Sequence, residues 1–327
     1  MENQENLFDN RLNLTDLQAK VNQIRTEIGK VIVGQEDVID LMLTAILADG
    51  HILLEGVPGV AKTLTAKLFA KIMAIDFSRI QFTPDLMPSD VIGTSIFNLK
   101  NSEFEFRKGP IFSNLVLIDE INRAPAKTQA ALFEVMEERQ ITFDGTTYIL
   151  PPPFLTIATQ NPIEQEGTYR LPEAQLDRFL FKIQVNYPNL GQEIGILEKA
   201  NSRKSNPQLT GIEAILTGNE IIEYRKVIKD IHVENNLLSY IAQIIDRTRN
   251  NHSLYLGASP RASLAILNAS KAYAAIDGRD FISPEDIKHL AYPVLRHRIM
   301  LTPEKEIEGV SIEDVINQIV QSIEVPR

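Results

Sequence analysis

The chain has 327 residues, 44% of them hydrophobic, with 33 Lys and Arg against 43 Asp and Glu and a formal net charge of −10. That length and composition predict a globular chain with room for two domains, and the acidic balance disfavours nucleic-acid binding, which needs a basic footprint. Cysteine is absent, which excludes disulfides, thiolate metal sites and cysteine nucleophiles.

The first residues, Met1–Asn10, are polar and acidic, unlike a signal peptide. No apolar run approaches the roughly 18 residues of a membrane span, so a soluble cytoplasmic protein is expected. Residues 1–186 then alternate between short apolar strands and helical patterns, which predicts an α/β domain with a parallel sheet. Its five core strands are expected at Ile52–Glu55, Arg79–Phe82, Leu115–Asp119, Phe154–Thr159 and Phe181–Val185.

The first strand runs into Gly56-Val57-Pro58-Gly59-Val60-Ala61-Lys62-Thr63, and a helix pattern follows from Leu64 to Met73. Strand, glycine-containing turn and helix together form a phosphate cradle, because backbone N–H groups and the helix N-terminus face the anion. Lys62 is expected to reach the β- and γ-phosphates of a nucleotide, and the Thr63 hydroxyl to ligate Mg²⁺. Ala61 stands where the usual pattern has its second glycine. Glycine is needed there only if φ is positive or a Cβ would meet phosphate. If position 61 has an ordinary φ and its Cβ points away, alanine is tolerated, and nucleotide binding is expected to be retained.

Two segments read as hairpins inserted into the parallel domain. Thr94–Leu99 and Glu103–Arg107 flank Lys100-Asn101-Ser102, while Gln140–Phe143 and Thr146–Leu150 flank Asp144-Gly145, a strong two-residue turn signal. Arg107 and Lys108 end the first hairpin; solvation, a pore lining and a client contact are all open readings. Between the hairpins, Leu115–Asp119 delivers Asp119 and Glu120 at the end of a buried strand, where open α/β sheets bind ligands. Asp119 is placed to hold Mg²⁺ through water and Glu120 to polarise an attacking water, against the plainer reading of an acidic turn.

Arg123 has two open readings, a neighbour-facing role or a local ion pair. Glu134, Glu137 and Glu138 read as a solvated helix face, and Met73, Met87, Met136 and Met300 as core. Asn161 follows another buried strand and is a candidate for orienting water, although Asn-Pro also starts turns. Arg178, in Leu176-Asp177-Arg178-Phe179, can serve a neighbouring subunit, because a guanidinium supplied in trans stabilises transferring phosphoryl charge. The alternative is a surface ion pair with Asp177 or Glu173.

Beyond Tyr187-Pro188 helical periodicity dominates, at Leu190–Ser202, Gly218–Ile228, Glu234–Arg249, Pro260–Ala275 and Pro284–Arg296. Ile241, Ile244, Ile245 and Thr248 share one helix face, and Ser283-Pro284-Glu285-Asp286 reads as an N-cap with a first-turn proline. An all-α C-terminal domain, 187–327, is the expectation. Arg261 sits in a first turn, against the helix dipole, which suggests an anionic partner or a structural ion pair. The five histidines are scattered without metal-ligand spacing.

Together these segments resemble the MoxR family of AAA+ ATPases over almost the whole length. Val33-Gly34-Gln35-Glu36 resembles the family's adenine-contacting segment, Gly56–Thr63 its Walker A loop and Leu117–Ala124 its Walker B segment. Asn161, Arg178 and Arg261 fall on the sensor 1, arginine-finger and sensor 2 positions. Gly167–Phe179 is a specific match, except that Arg170 replaces the usual proline and adds a charge near the presumed subunit boundary. The hairpins resemble the helix 2 and pre-sensor 1 insertions of the clade that also holds magnesium chelatases and replicative helicases.

The resemblance implies ATP held by Val33, Gly34, Gly56, Val57, Pro58, Gly59, Val60, Ala61, Lys62, Thr63, Leu64 and Asp119. Mg²⁺ would bind at Thr63 and Asp119, with Glu120, Asn161, Arg178 and Arg261 serving hydrolysis. It further implies an AAA+ P-loop core with a parallel five-stranded sheet, a helical lid and a ring, taken as a hexamer. The expected role is chaperone-like remodelling of a separate client or adaptor protein, often one with a von Willebrand factor A domain, in maturation or metal-cofactor insertion. A nucleic-acid motor of the same clade and a nucleotide-switched scaffold with little turnover remain the alternatives. A GTPase is disfavoured, since no Asn-Lys-x-Asp motif occurs.

Overall fold

The computed structural model describes residues 12–100, 102–162, 168–202 and 211–326. Met1–Asn10, the Asn101 hairpin tip and Gly167 lie outside the described residues. The contacts of the described residues group into two compact units, one within Ile24–Ile39 and Asp49–Ile222, the other within 12–23, Asp40–Ala48 and 223–326. Residues 211–222 group with the first unit, where, for example, the backbone N–H groups of Ile215 and Leu216 both donate to the Ile72 carbonyl.

In chain order the elements up to residue 202 are α1 (Thr15–Gly29), α2 (Glu36–Leu47), β1 (His51–Gly56), α3 (Lys62–Ile72), β2 (Phe77–Gln81), α4 (Pro88–Ile92), β3 (Gly93–Asn98), β4 (Glu103–Lys108), β5 (Leu115–Asp119), α5 (Ala126–Glu138), β6 (Gln140–Phe143), β7 (Thr146–Ile149), β8 (Leu155–Gln160), α6 (Glu173–Leu176), β9 (Phe179–Val185) and α7 (Leu190–Ser202). Five of the strands form one parallel sheet in the order β2-β5-β8-β1-β9. The central strands are apolar on both faces, as parallel strands covered by helices must be. Every residue of β5 is buried, and each of its four aliphatic side chains gains about 1.5–3 kcal/mol on leaving water. That burial fixes the strand and therefore the position of the two carboxylates at its end. Helices α3 and α5 contribute Leu68, Phe69, Leu132 and Phe133 to the buried interior.

Both predicted hairpins are present, as β3–β4 and β6–β7. Asp144 and Gly145 take φ values of 49° and 73°, the paired left-handed turn whose twist matches antiparallel strands. Phe106 of β4 stacks on Phe143 and Tyr148 of the other hairpin, with ring centroids 4.9 and 4.6 Å apart, so the two insertions form one aromatic cluster. Met87, expected in the core, is instead 63% exposed ahead of α4.

The later elements are α8 (Gly218–Lys229), α9 (Asn235–Arg249), β10 (Leu254–Leu256), α10 (Pro260–Ile276), α11 (Pro284–Leu295), β11 (Met300–Leu301), α12 (Pro303–Ile307) and α13 (Ile312–Gln321). Ile241, Ile244, Ile245 and Thr248 of α9 are all buried, as their spacing predicts. Ser283 and Asp286 form a reciprocal capping box at the start of α11. The helical unit carries one addition to the all-helical expectation. β10 and β11 pair antiparallel, and these two- and three-residue pieces are too short for any alternation to register in sequence.

Candidate active site

β1 ends at Gly56, and the chain passes through Val57–Ala61 into α3. Gly59 has φ 90°, and Ala61 has φ 62° and ψ 17°. The condition of an ordinary φ is thus not met at Ala61: the position is left-handed, where an L side chain costs about 1–2 kcal/mol. It is held there because the Ala61 carbonyl accepts from both the backbone N–H and the hydroxyl of Thr65, at 2.9 and 3.0 Å. The loop must reverse direction at this point to enter α3. Lys62 Nζ donates to the carbonyls of Gly56 and Val57, which places the ammonium inside the loop it is expected to serve.

The C-terminal ends of β5 and β8 supply the acidic half of the site. Asp119 is 6% exposed, and a buried carboxylate needs donors and a counter-charge. Thr159 Oγ1 donates to its Oδ1 at 3.2 Å, and Thr63 Oγ1 stands 3.4 Å from each oxygen. Arg79 Nε donates to Oδ2 at 2.6 Å. Glu120 also has a positive φ, 57°, and its N–H donates to Thr159 Oγ1 at 3.0 Å. Its carboxylate accepts from Gln81 Nε2 at 2.7 Å and pairs with Arg123 Nε at 3.2 Å. Of the two readings of Arg123, the local ion pair is therefore the one observed. An unusual backbone angle at Glu120, locked by a buried threonine, costs energy and aims one carboxylate differently from its neighbour.

These groups face one cavity of about 460 Å³, lined by Pro58–Leu64 together with Asp119, Glu120, Gln160 and Asn161. A second, apolar cavity of about 230 Å³ lies against the same loop. Val33, Val60, Leu64, Pro188 and Ile196 line it, and it shares Gly59, Val60, Ala61 and Leu64 with the first. An apolar slot beside a phosphate cradle has the dimensions and chemistry for a base. Gly34 lies between Val33 and Gln35, which line this slot; its φ is 70°, and a Cβ there would sit 2.3 Å from Gln192 Nε2. Thr63 and Asp119 offer hydroxyl and carboxylate oxygens, the hard donors that Mg²⁺ prefers.

Of the predicted site residues, Lys62, Thr63, Asp119, Glu120 and Asn161 come together at the cavity. Arg178 does not line it. Its guanidinium donates to the Phe133 carbonyl at 2.5 Å and pairs with Glu137 at 2.7 Å, so neither Asp177 nor Glu173 is its partner in those contacts, and Glu137 is not merely solvated. Arg261 opens α10 in the other unit and is exposed. Arg170 is also exposed and lies 3.6 Å from Glu173. Among the described residues no cluster of His, Asp and Glu has the arrangement of a protein-only metal site, and no helix is long and apolar enough to cross a membrane.

Three residues of the site were not singled out by sequence: Arg79, Gln81 and Thr159. Arg79 and Gln81 are two apart on edge strand β2, and Gln81 pairs in register with Asp119. The available signal was the polar alternation Arg-Ile-Gln beside a strand ending in two carboxylates. It becomes meaningful only once β2 is known to neighbour β5.

A parallel sheet with a phosphate loop after one strand, a carboxylate pair after another, and a helical unit beyond defines the AAA+ class of P-loop folds. Similarity to known proteins agrees with that class. The profile of the ATPase family associated with various cellular activities (AAA) matches residues 51–181, and an AAA lid domain matches residues 246–319. The uncharacterized protein YeaC of Bacillus subtilis is 46% identical over 95% of this chain and 96% of its own length. Chaperone MoxR1 of Mycobacterium tuberculosis is 44% identical over 92% of this chain and 81% of its own. A crystal structure from Cytophaga hutchinsonii, 44% identical, superposes with a TM-score of 0.87 over 95% of this chain and 96% of that one. The chain belongs to the MoxR family of AAA+ ATPases.

Proposed function

We propose that this chain hydrolyses ATP with Mg²⁺ and uses the cycle to remodel partner proteins. The observation that carries the reading is the convergence of Lys62, Thr63, Asp119, Glu120 and Asn161 on one cavity beside an apolar slot. Lys62 and the N–H groups entering α3 hold the phosphates. Thr63 and Asp119 would hold Mg²⁺, which when bound would offset the charge that develops on the phosphate oxygens. Asn161 orients a water, and Glu120 takes its proton as the oxygen attacks the γ-phosphorus and the bond to the β–γ bridging oxygen breaks.

Arg178 acts on the site of an adjacent copy in a ring, taken as a hexamer, which requires that it exchange Glu137 for the neighbour's phosphate. The client is a separate polypeptide, with a von Willebrand factor A domain as the favoured form, matured or loaded with metal in the cytoplasm. The name of the M. tuberculosis relative, a chaperone, supports that direction. The test of the ring is phosphate release per protomer across protein concentration for the wild type and Arg178→Ala. Turnover should rise with concentration in the wild type and fall by about 10³-fold in the variant, with ATP affinity retained. Equal turnover in both would remove the trans role.

A further inference from the structure

Arg79 has no assigned part in this site, yet it makes the shortest of the side-chain contacts to Asp119. Its Nε donates to Asp119 Oδ2 at 2.6 Å, and its Nη2 donates to Gln81 Oε1 at 3.1 Å. Gln81 in turn gives Nε2 to Glu120 at 2.7 Å. An amide presents its oxygen and nitrogen on opposite sides, so a guanidinium on the oxygen side obliges the nitrogen to face the glutamate. One arginine thereby touches the metal-ligand carboxylate and, through a single amide, sets the donor held by the general base.

We propose that Arg79 is a positioning residue that serves as the site's internal counter-cation. It neutralises Asp119 while no metal is bound, gives way when Mg²⁺ arrives with nucleotide, and passes that exchange to Glu120 through Gln81. The inference rests on the ATPase reading above. Asp119 is nearly buried and cannot stand ionised without a partner. A guanidinium and a divalent cation compete for the same carboxylate, since two cations on one anion repel. The Arg79 side chain is 46% exposed, so it can swing into solvent without a burial penalty of its own. Once it leaves, the Gln81 amide loses its orienting donor, while Glu120 keeps its pair with Arg123. Charge is conserved, and no bond is made or broken.

The test is calorimetric titration of ADP into the full-length chain, in Mg²⁺ and in EDTA, for wild type, Arg79→Gln and Arg79→Lys. The quantity read is the Mg²⁺ advantage, the ADP Kd in EDTA divided by the Kd in Mg²⁺. Removing the competing cation should raise this ratio about tenfold in Arg79→Gln, while Arg79→Lys, which keeps a cation near Asp119, stays within about threefold of wild type. An unchanged ratio in Arg79→Gln with ADP still bound overturns the proposal and leaves the ATPase reading intact. A wild type that binds no ADP in either buffer overturns both. If Arg79→Gln is unfolded in EDTA but folds in saturating Mg²⁺ and ADP, the metal has replaced the guanidinium and the proposal stands. If it is unfolded in both, Arg79 is a structural residue only and the proposal fails.

Discussion

Ala61→Gly offers a quantitative check on the phosphate loop. Ala61 sits at φ 62° and ψ 17° at the entrance of α3. An L side chain in that region carries about 1–2 kcal/mol of strain. Glycine removes the strain, and at an N-cap it is better than alanine by a few tenths of a kcal/mol or more. Against this, glycine loses about 0.4–1 kcal/mol more chain entropy on folding. The balance favours the variant by about 0.3–2 kcal/mol, which corresponds to roughly 1–8 °C in the Tm of a domain of this size. Thermal unfolding measures it directly. Ala61→Val, β-branched in the same region, should move Tm the opposite way and further. A lower Tm for Ala61→Gly than for wild type would refute the strain argument. ADP affinity should survive in Ala61→Gly, since the Thr65 bonds to the residue 61 carbonyl involve backbone on the loop side.

His51 is buried, and Thr156 N–H donates to its Nδ1 at 3.0 Å while Nε2 lies 3.1 Å from the Met136 carbonyl. The ring is therefore the tautomer protonated at Nε2, and His51→Ala leaves a buried donor and a buried acceptor unmatched. Urea unfolding should show a loss of about 2–4 kcal/mol; a loss below about 1 kcal/mol would mean that water replaces the ring without cost. Gly34→Ala introduces a Cβ against Gln192 in a left-handed conformation and, by shifting its neighbours Val33 and Gln35 that line the apolar slot, should weaken ADP binding about tenfold. Adding Gln192→Ala should recover part of that loss, and no recovery would place the damage in the backbone alone.

Much of the α/β core was legible because its signals are local. The central strands are continuous apolar runs, and all five of the predicted helices in the second half fall within about a residue of their observed ends, since caps such as Ser283 and periodic faces such as Ile241-Ile244-Ile245 lie in the sequence itself. What was not legible depends on neighbours distant in sequence. Arg79 and Gln81 gain meaning only from the β2–β5 register, and Glu137 becomes the partner of Arg178 only because α5 packs beside the turn before β9. The φ of Ala61 was not legible because residue identity reports what a position tolerates rather than the angle it adopts. The packing of Ile215 and Leu216 against Ile72 was hidden for a similar reason: a local pattern names secondary structure and not what it packs against.

The central claim is that the carboxylate beside the metal ligand is the base for ATP hydrolysis. It is tested most directly by phosphate release from ATP and Mg²⁺ by the assembled full-length chain and by Glu120→Gln, with ATP affinity measured on both. The wild type should turn over and the variant should bind ATP comparably yet release phosphate at least about 10²-fold more slowly. A wild type that binds ATP without hydrolysing it, or a Glu120→Gln chain that turns over at the wild-type rate, would contradict the account.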